Sequence, residues 1–254
     1  MSDQRQNPWI RSSNPTTNER AFDRMEAVSS EPMTVRGAIQ KTGILLALLI
    51  PCAVVGFIFP NMLAAIAAAL VAFGLAIAIA FKPNLAPSLA PAYAVLEGYF
   101  VGAVSFMYTV AMAKSQYANA VPIASAGTMV TLGIMLLLYT TRVIKVTETL
   151  RGVVIGLTCA VAIFYLISLV ASLLMPGVPQ TWAMHGSGPI GIGFSVFVIG
   201  LAAFNFLLDF DFIERGVERG MPKQFEWYAG FGILVTIVWL YLEILRLLSK
   251  LSKR

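Results

Sequence analysis

The stretch MLAAIAAALVAFGLAIAIAF, Met62–Phe81, runs for twenty residues without a single charged side chain. Coiled as a helix at 1.5 Å per residue it covers about 30 Å, the hydrocarbon thickness of a bilayer. Working outward from it, six more apolar stretches of comparable length follow the same pattern, with approximate limits Gly43–Phe59, Tyr93–Ala113, Val121–Tyr139, Val153–Met175, Ile190–Leu208 and Trp227–Leu248. The breaks between them carry turn formers and charges: Pro60-Asn61, Lys82-Pro83-Asn84, Lys114-Ser115, 140–151, 176–188 and 215–223. The pattern predicts an all-α polytopic membrane protein with seven transmembrane helices and only short loops, leaving no room for a soluble catalytic domain. Residues 1–40 are polar and lack the apolar core of a secretory signal, so they read as a cytoplasmic tail, with a short helix expected over 18–28, ahead of a membrane domain over 41–254.

Composition agrees. Hydrophobic residues make up 58% and charged residues 12% of the chain, with mean hydropathy +0.78, outside the range of soluble domains. Cys52 and Cys159 lie inside apolar runs without metal-ligand partners and read as small core residues. The net charge of +5 could point to nucleic acid, but the basic residues flank apolar segments instead of forming a patch, so no nucleic-acid partner is expected. With seven crossings, 13 of the Lys and Arg residues fall on the side of the N-terminus and 5 on the other. That bias predicts a cytoplasmic N-terminus. Four of the five, Arg246, Lys250, Lys253 and Arg254, close the chain, and a re-entrant last segment would return them to the cytoplasm.

Small residues at helix-contact spacing, Gly98 with Gly102 and Gly152 with Gly156, predict close packing within the chain. Pro51 and Pro122 predict kinks in the first and fourth helices. Ionisable groups on apolar helices are the functional candidates, because charge in hydrocarbon costs at least a few kcal/mol. Asp209 and Asn205 share one face of the sixth helix, whereas Asp211 lies about 200° away from Asp209 and has Arg215 at i+4 for a solvated ion pair. On the seventh helix Thr236 and Glu243 align, with Arg246 three residues beyond Glu243. Glu243 reads either as an interfacial carboxylate compensated by Arg246 or as a buried one sharing a site with a second carboxylate. Such a pair titrates as a unit, senses pH near neutrality, and when ionised offers hard oxygen ligands for Ca²⁺. Glu97 in the third span either joins a polar core with Asp209 or Glu243, or sits at the interface near Lys82. His185 reads as an exposed loop residue. The run Gly186-Ser-Gly188-Pro-Ile-Gly191 imitates a dinucleotide fingerprint, but no strand precedes it and Pro189 opens a membrane helix. No nucleophile and base stand at a useful spacing, and neither an enzyme nor a resident cofactor is expected.

Several motifs resemble the transmembrane Bax inhibitor motif family, in particular its bacterial Bax inhibitor-like branch. They are Lys82-Pro-Asn-Leu-Ala-Pro-Ser-Leu-Ala-Pro91, Tyr93-Ala-Val-Leu-Glu-Gly98, Ser187-Gly-Pro-Ile-Gly-Ile-Gly-Phe-Ser195, Leu208-Asp-Phe-Asp-Phe-Ile-Glu-Arg-Gly216 and Leu240-Tyr-Leu-Glu-Ile-Leu-Arg-Leu-Leu248. The resemblance covers roughly residues 43–254. It implies a seven-helix fold with the last helix central and wrapped by the other six. It further implies a pH-sensitive calcium leak governed by a hydrogen-bonded aspartate pair, one on helix six and one on helix seven. Asp209, four residues before Ile213, matches the first. Glu243, in Leu240-Tyr-Leu-Glu243, stands where the second would be, with a longer arm. In some relatives a basic residue holds the helix-six aspartate, and Lys82 is the nearest match. A straight hairpin turning near Gly220 offsets Asp209 from Glu243 by 12 residues, about 18 Å, so the pair requires an asymmetric loop.

The expected function is therefore a pH-sensitive leak for Ca²⁺, or for protons, controlled by Asp209 and Glu243, in the bacterial inner membrane. The rival expectation is a non-transporting interaction protein. Some bacterial relatives are associated with a membrane-bound ATP-dependent protease, and the polar tail would serve as the handle.

Overall fold

The computed structural model describes residues 31–174 and 186–253. The tail up to residue 30, the short helix expected over 18–28 and His185 lie outside the described residues. Seven helices carry the fold: α1 (Val35–Ile58), α2 (Met62–Phe81), α3 (Ala86–Met112), α4 (Ala120–Thr140), α5 (Glu148–Leu174), α6 (Pro189–Glu218) and α7 (Phe225–Ser252). All seven are long and apolar enough to cross a membrane. No strand interrupts them among the described residues.

Local chemistry explains where they begin and end. Thr34 caps α1 by accepting from the Gly37 amide at 2.9 Å, and Asn61 caps α2 by accepting from the Ala64 amide at 3.0 Å. A single turn of 3₁₀-helix over Pro83–Leu85 leads into α3, which starts seven residues earlier than the apolar pattern placed it and carries Pro91 inside. The proline-rich run is thus helical, because its apolar neighbours pack. Pro122 is the third residue of α4, where the first turn has no bond for its missing N–H to lose, so no kink is required there. At the end of α6 the Met221 amide donates to Gly216 O and the Gly220 amide to Val217 O, both at 3.0 Å, with Gly220 at φ 62°. This closure needs a left-handed residue, which glycine supplies without strain.

The last helix is the core. Just over half of its membrane-spanning window is buried, against 11–39% for the others. It packs against α1, α3, α4 and α6. The expectation that all six others wrap it is corrected: α2 packs on α3, and α5 packs on α6, reaching α7 through side chains. Tight approach is concentrated between α1 and α3. A Cβ on Gly102 would stand 2.0 Å from Ala53 O, one on Gly98 2.4 Å from Leu49 O, and one on Gly56 2.2 Å from Tyr99 O. Gly152 and Gly156 face open space instead, since α5 lies at the edge of the bundle. For the same reason Cys159 is exposed and Cys52 only half-buried, so neither is a core residue.

The chain before α1 is fastened to the α6–α7 turn. Pro32 pairs with Pro222 in an antiparallel bridge, Met33 N donates to Met221 O at 2.7 Å, and Lys223 N donates to Glu31 O at 2.9 Å. Glu226, only 2% exposed, accepts from both the amide and the hydroxyl of Thr34 at the N-terminus of α1. A carboxylate there satisfies orphan amides and complements the helix dipole. The α7 helix runs unbroken for 28 residues, about 42 Å. It therefore ends on the side of the bundle opposite Val35, and the re-entrant alternative falls away.

Candidate functional site

Polar side chains line the seam where α5, α6 and α7 meet. On α5 they recur every seven residues, Arg151, Thr158 and Tyr165; on α7 they recur every seven residues, Thr236, Glu243 and Lys250. Seven residues are nearly two turns, so each set keeps to one stripe of its helix. Each stripe is about 21 Å long.

The first layer, nearest the N-terminal side, is ionic. Asp211, 8% exposed, pairs with Arg151 and with Arg215 Nε at 2.9 Å, and Arg215 also donates to Glu148 at 2.9 Å. The expected i+4 pair of Asp211 with Arg215 exists. It is buried rather than solvated, because α5 brings Arg151 against it. Arg151 occupies the place for which Lys82 was a candidate, although it binds Asp211 and not Asp209. Lys82 is exposed at the C-terminus of α2 and forms no ion pair among the described residues.

Two residues deeper on α6, Asp209 accepts a 2.7 Å hydrogen bond from the Thr236 hydroxyl. Gly232 lies directly opposite; a Cβ there would be 3.3 Å from Asp209 Oδ1. Beside them Asn205 donates to Thr158 Oγ1 at 2.9 Å. A cavity of about 500 Å³ reaches this layer, lined by Asp209, Asn205, Arg151, Arg215, Arg219 and Tyr228 among others. Asp209 thus touches open volume while its other oxygen latches α6 to α7.

The third layer surrounds Glu243, 1% exposed. One carboxylate oxygen accepts from Arg246 and from Tyr165 at 2.8 Å, and the Arg246 guanidinium also donates to Tyr165 at 2.6 Å while lying 4.6 Å from its ring centre. The second oxygen, Oε2, meets no hydrogen-bond partner among the described residues. Nearly two turns beyond Glu243, Lys250 donates to Ser195 Oγ and Gly191 O, each at 2.8 Å.

The structure does not pair Asp209 with Glu243. The α6–α7 hairpin is nearly symmetric about Pro222, in the loop between Glu218 and Phe225, so Asp209 meets Thr236, and Glu243 stands seven residues, about 10 Å, further along α7. Nor do the two build a joint calcium site, and no cluster of three or more acidic, His or Cys side chains suited to a metal ion occurs among the described residues. Both open readings of Glu243 are half right: it is deeply buried, yet its compensation comes from Arg246. Glu97 joins neither the layers nor Lys82. It lies on α3 between Tyr93 and Val101, the stripe that faces α7, and makes no hydrogen bond or ion pair with the described residues.

Several seam residues escaped the sequence reading. Arg151 counted only as a loop charge and Lys250 only as part of a basic tail. Thr158, Tyr165 and Ser195 were silent, although the seven-residue spacing of Arg151, Thr158 and Tyr165 was a usable signal. A search of curated proteins finds no match to the chain. A sequence profile of the family described as Bax inhibitor 1 like matches residues 11–253. The chain belongs to the Bax inhibitor 1 like family. For this Bax inhibitor 1 like protein the match extends over all seven helices, so the seam and its three polar layers sit wholly inside the family's domain.

Proposed function

We propose that this membrane protein is a pH-responsive ion leak whose path follows the α5–α6–α7 seam, and that protons are its ion. The observation that carries the reading is the Asp209–Thr236 latch, set at the end of a cavity and continued by polar layers along two seven-residue stripes. Chains of carboxyl and hydroxyl groups inside a membrane are the usual substance of proton relays. Calcium fits less well. It takes six to eight oxygens, whereas Arg151, Arg246 and Lys250 stand along this route and repel a divalent cation.

The sign of the pH response follows from the latch. A hydrogen bond from Thr236 to an ionised carboxylate is roughly twice as strong as one to a neutral carboxyl. Protonating Asp209 weakens the contact between α6 and α7, so the leak rises as pH falls. In this reading the excess of Lys and Arg faces the cytoplasm across a bacterial inner membrane.

Proton and Ca²⁺ fluxes into liposomes at pH 6, 7 and 8 test the proposal. Wild type is expected to carry protons fastest at pH 6, Asp209→Asn to lose the pH dependence, and Thr236→Val to leak at all three values. A Ca²⁺ flux that exceeds the proton flux and responds to the same substitutions would restore the divalent ion. Absent flux of either ion would favour the second reading, a non-transporting partner of a membrane-bound ATP-dependent protease. A chain lacking residues 1–30 separates the two, because a leak survives the deletion and a tail-mediated interaction does not.

A further inference from the structure

Helix α1 packs on α3 and α7, and α4 packs on α7 and α6, which leaves a cleft between α1 and α4. Two cavities fill it, of about 600 and 480 Å³, and Leu46 lines both. Each is of a size that holds a small molecule. The lower one runs along α1 from Val35 to Leu46, about 16 Å, which is one leaflet of a bilayer core of about 30 Å. Its walls are mostly aliphatic and aromatic; the Thr42 hydroxyl on α1 donates to Ala38 O, and the charged lining is at the N-terminal-side end, where Tyr139, Thr140, Arg142 and Glu214 converge.

That end is built and not accidental. Arg142 is the one non-glycine residue with positive φ among the described residues, at 58°. The left-handed turn costs energy, and it folds the side chain back over the Tyr139 ring, 5.4 Å from its centre, and onto Glu214. The Arg142 side chain remains 58% exposed. Glu214 engages Nη2 of a group that carries five N–H donors, and both side chains line the polar end of the cleft. A cation beside a carboxylate, above an apolar slot one leaflet deep, matches a molecule with a phosphate, an adjacent amine and an acyl chain.

We propose that the lower cleft between α1 and α4 is a binding site for one glycerophospholipid of the N-terminal-side leaflet, its phosphate on Arg142 and an acyl chain reaching Leu46. The lipid would lie against Ile233 of α7 and Phe210 of α6. This differs from lipid spread over convex helix faces, because the slot is concave and has one polar end.

Gly43 supplies the test. It lines the slot, and a Cβ added there meets nothing within 4 Å, so a larger side chain fills the cleft without disturbing the helices. Native mass spectrometry of delipidated protein titrated with phosphatidylethanolamine is the measurement, with phosphatidylglycerol and a phosphate-free diacylglycerol for comparison. Wild type is expected to take up one phosphatidylethanolamine in preference to the others. Gly43→Phe should abolish that single adduct at unchanged helicity. Arg142→Gly, which suits the left-handed turn, should weaken it about tenfold. Equal, graded adducts in wild type and both variants would mean annular lipid only and would overturn the proposal. Diacylglycerol binding as tightly as the phospholipids would overturn the phosphate contact. Should Gly43→Phe fail to fold, Arg142→Gly alone decides between these results.

Discussion

At the residue scale the chain places ionised groups where hydrocarbon would otherwise be, and the decisive question for each is its partner. Glu243 is the sharpest case. At 1% exposure its charge depends on Arg246 and on the Tyr165 hydroxyl. Removing one member of a buried ion pair strands the other and costs roughly 3–5 kcal/mol, whereas replacing both by apolar groups is often neutral. Arg246→Ala is therefore expected to lower thermal stability in detergent by several kcal/mol, and Glu243→Leu combined with Arg246→Leu to recover most of the loss. An Arg246→Ala protein as stable as wild type would show that Glu243 does not need its cation. The i,i+3 relation of Glu243 and Arg246 was legible in the sequence because it is local. Tyr165, 78 positions from Glu243, was not, because nothing local reports which helix lies alongside α7.

At the scale of elements, the N-terminal strap and the α6–α7 turn form a clasp that the sequence did not announce. Glu226, an acid in the first turn of α7, sits on the N-terminus of α1. A Cβ on Gly37 would fall 1.9 Å from its Oε1. Gly37→Ala must displace a buried carboxylate from its helix terminus, and a stability loss of about 1–3 kcal/mol is expected, readable by thermal unfolding. The outer pair of the clasp, Glu31 with Lys223, is solvent-exposed, and the hydrogen bond and charge of Lys223 hold the Glu31 carboxyl below its usual range. A depressed acid contributes above its unfolded value, about 4.3, and loses that contribution only as pH falls through the lower folded value. That outer pair is thus constant between pH 6 and 8. Glu31→Gln should leave the pH profile of flux over that window unchanged, and a shifted profile would move the pH sensor away from Asp209.

At the scale of the whole molecule, seven unbroken helices put the two ends of the described chain on opposite sides of the bundle. Reporters fused ahead of α1 and after α7 should accordingly score on opposite faces of the membrane, and matching scores would contradict the fold. Seven crossings, their order, the turn at Gly220 and the carboxylates worth following were all determined by the sequence alone. They depend on hydropathy and short-range spacing, which each segment carries in itself. The close α1–α3 contact was half legible, since Gly98 and Gly102 signal a close approach without naming the partner. Tertiary structure alone decided that Asp209 meets Thr236 and not Glu243, that Arg151 and not Lys82 supplies the buried cation, and that α5 sits at the rim. Those outcomes turn on hairpin register and on which helices lie side by side. Every apolar helix offers lipid and its neighbours a similar face, so such choices emerge only when all seven pack at once.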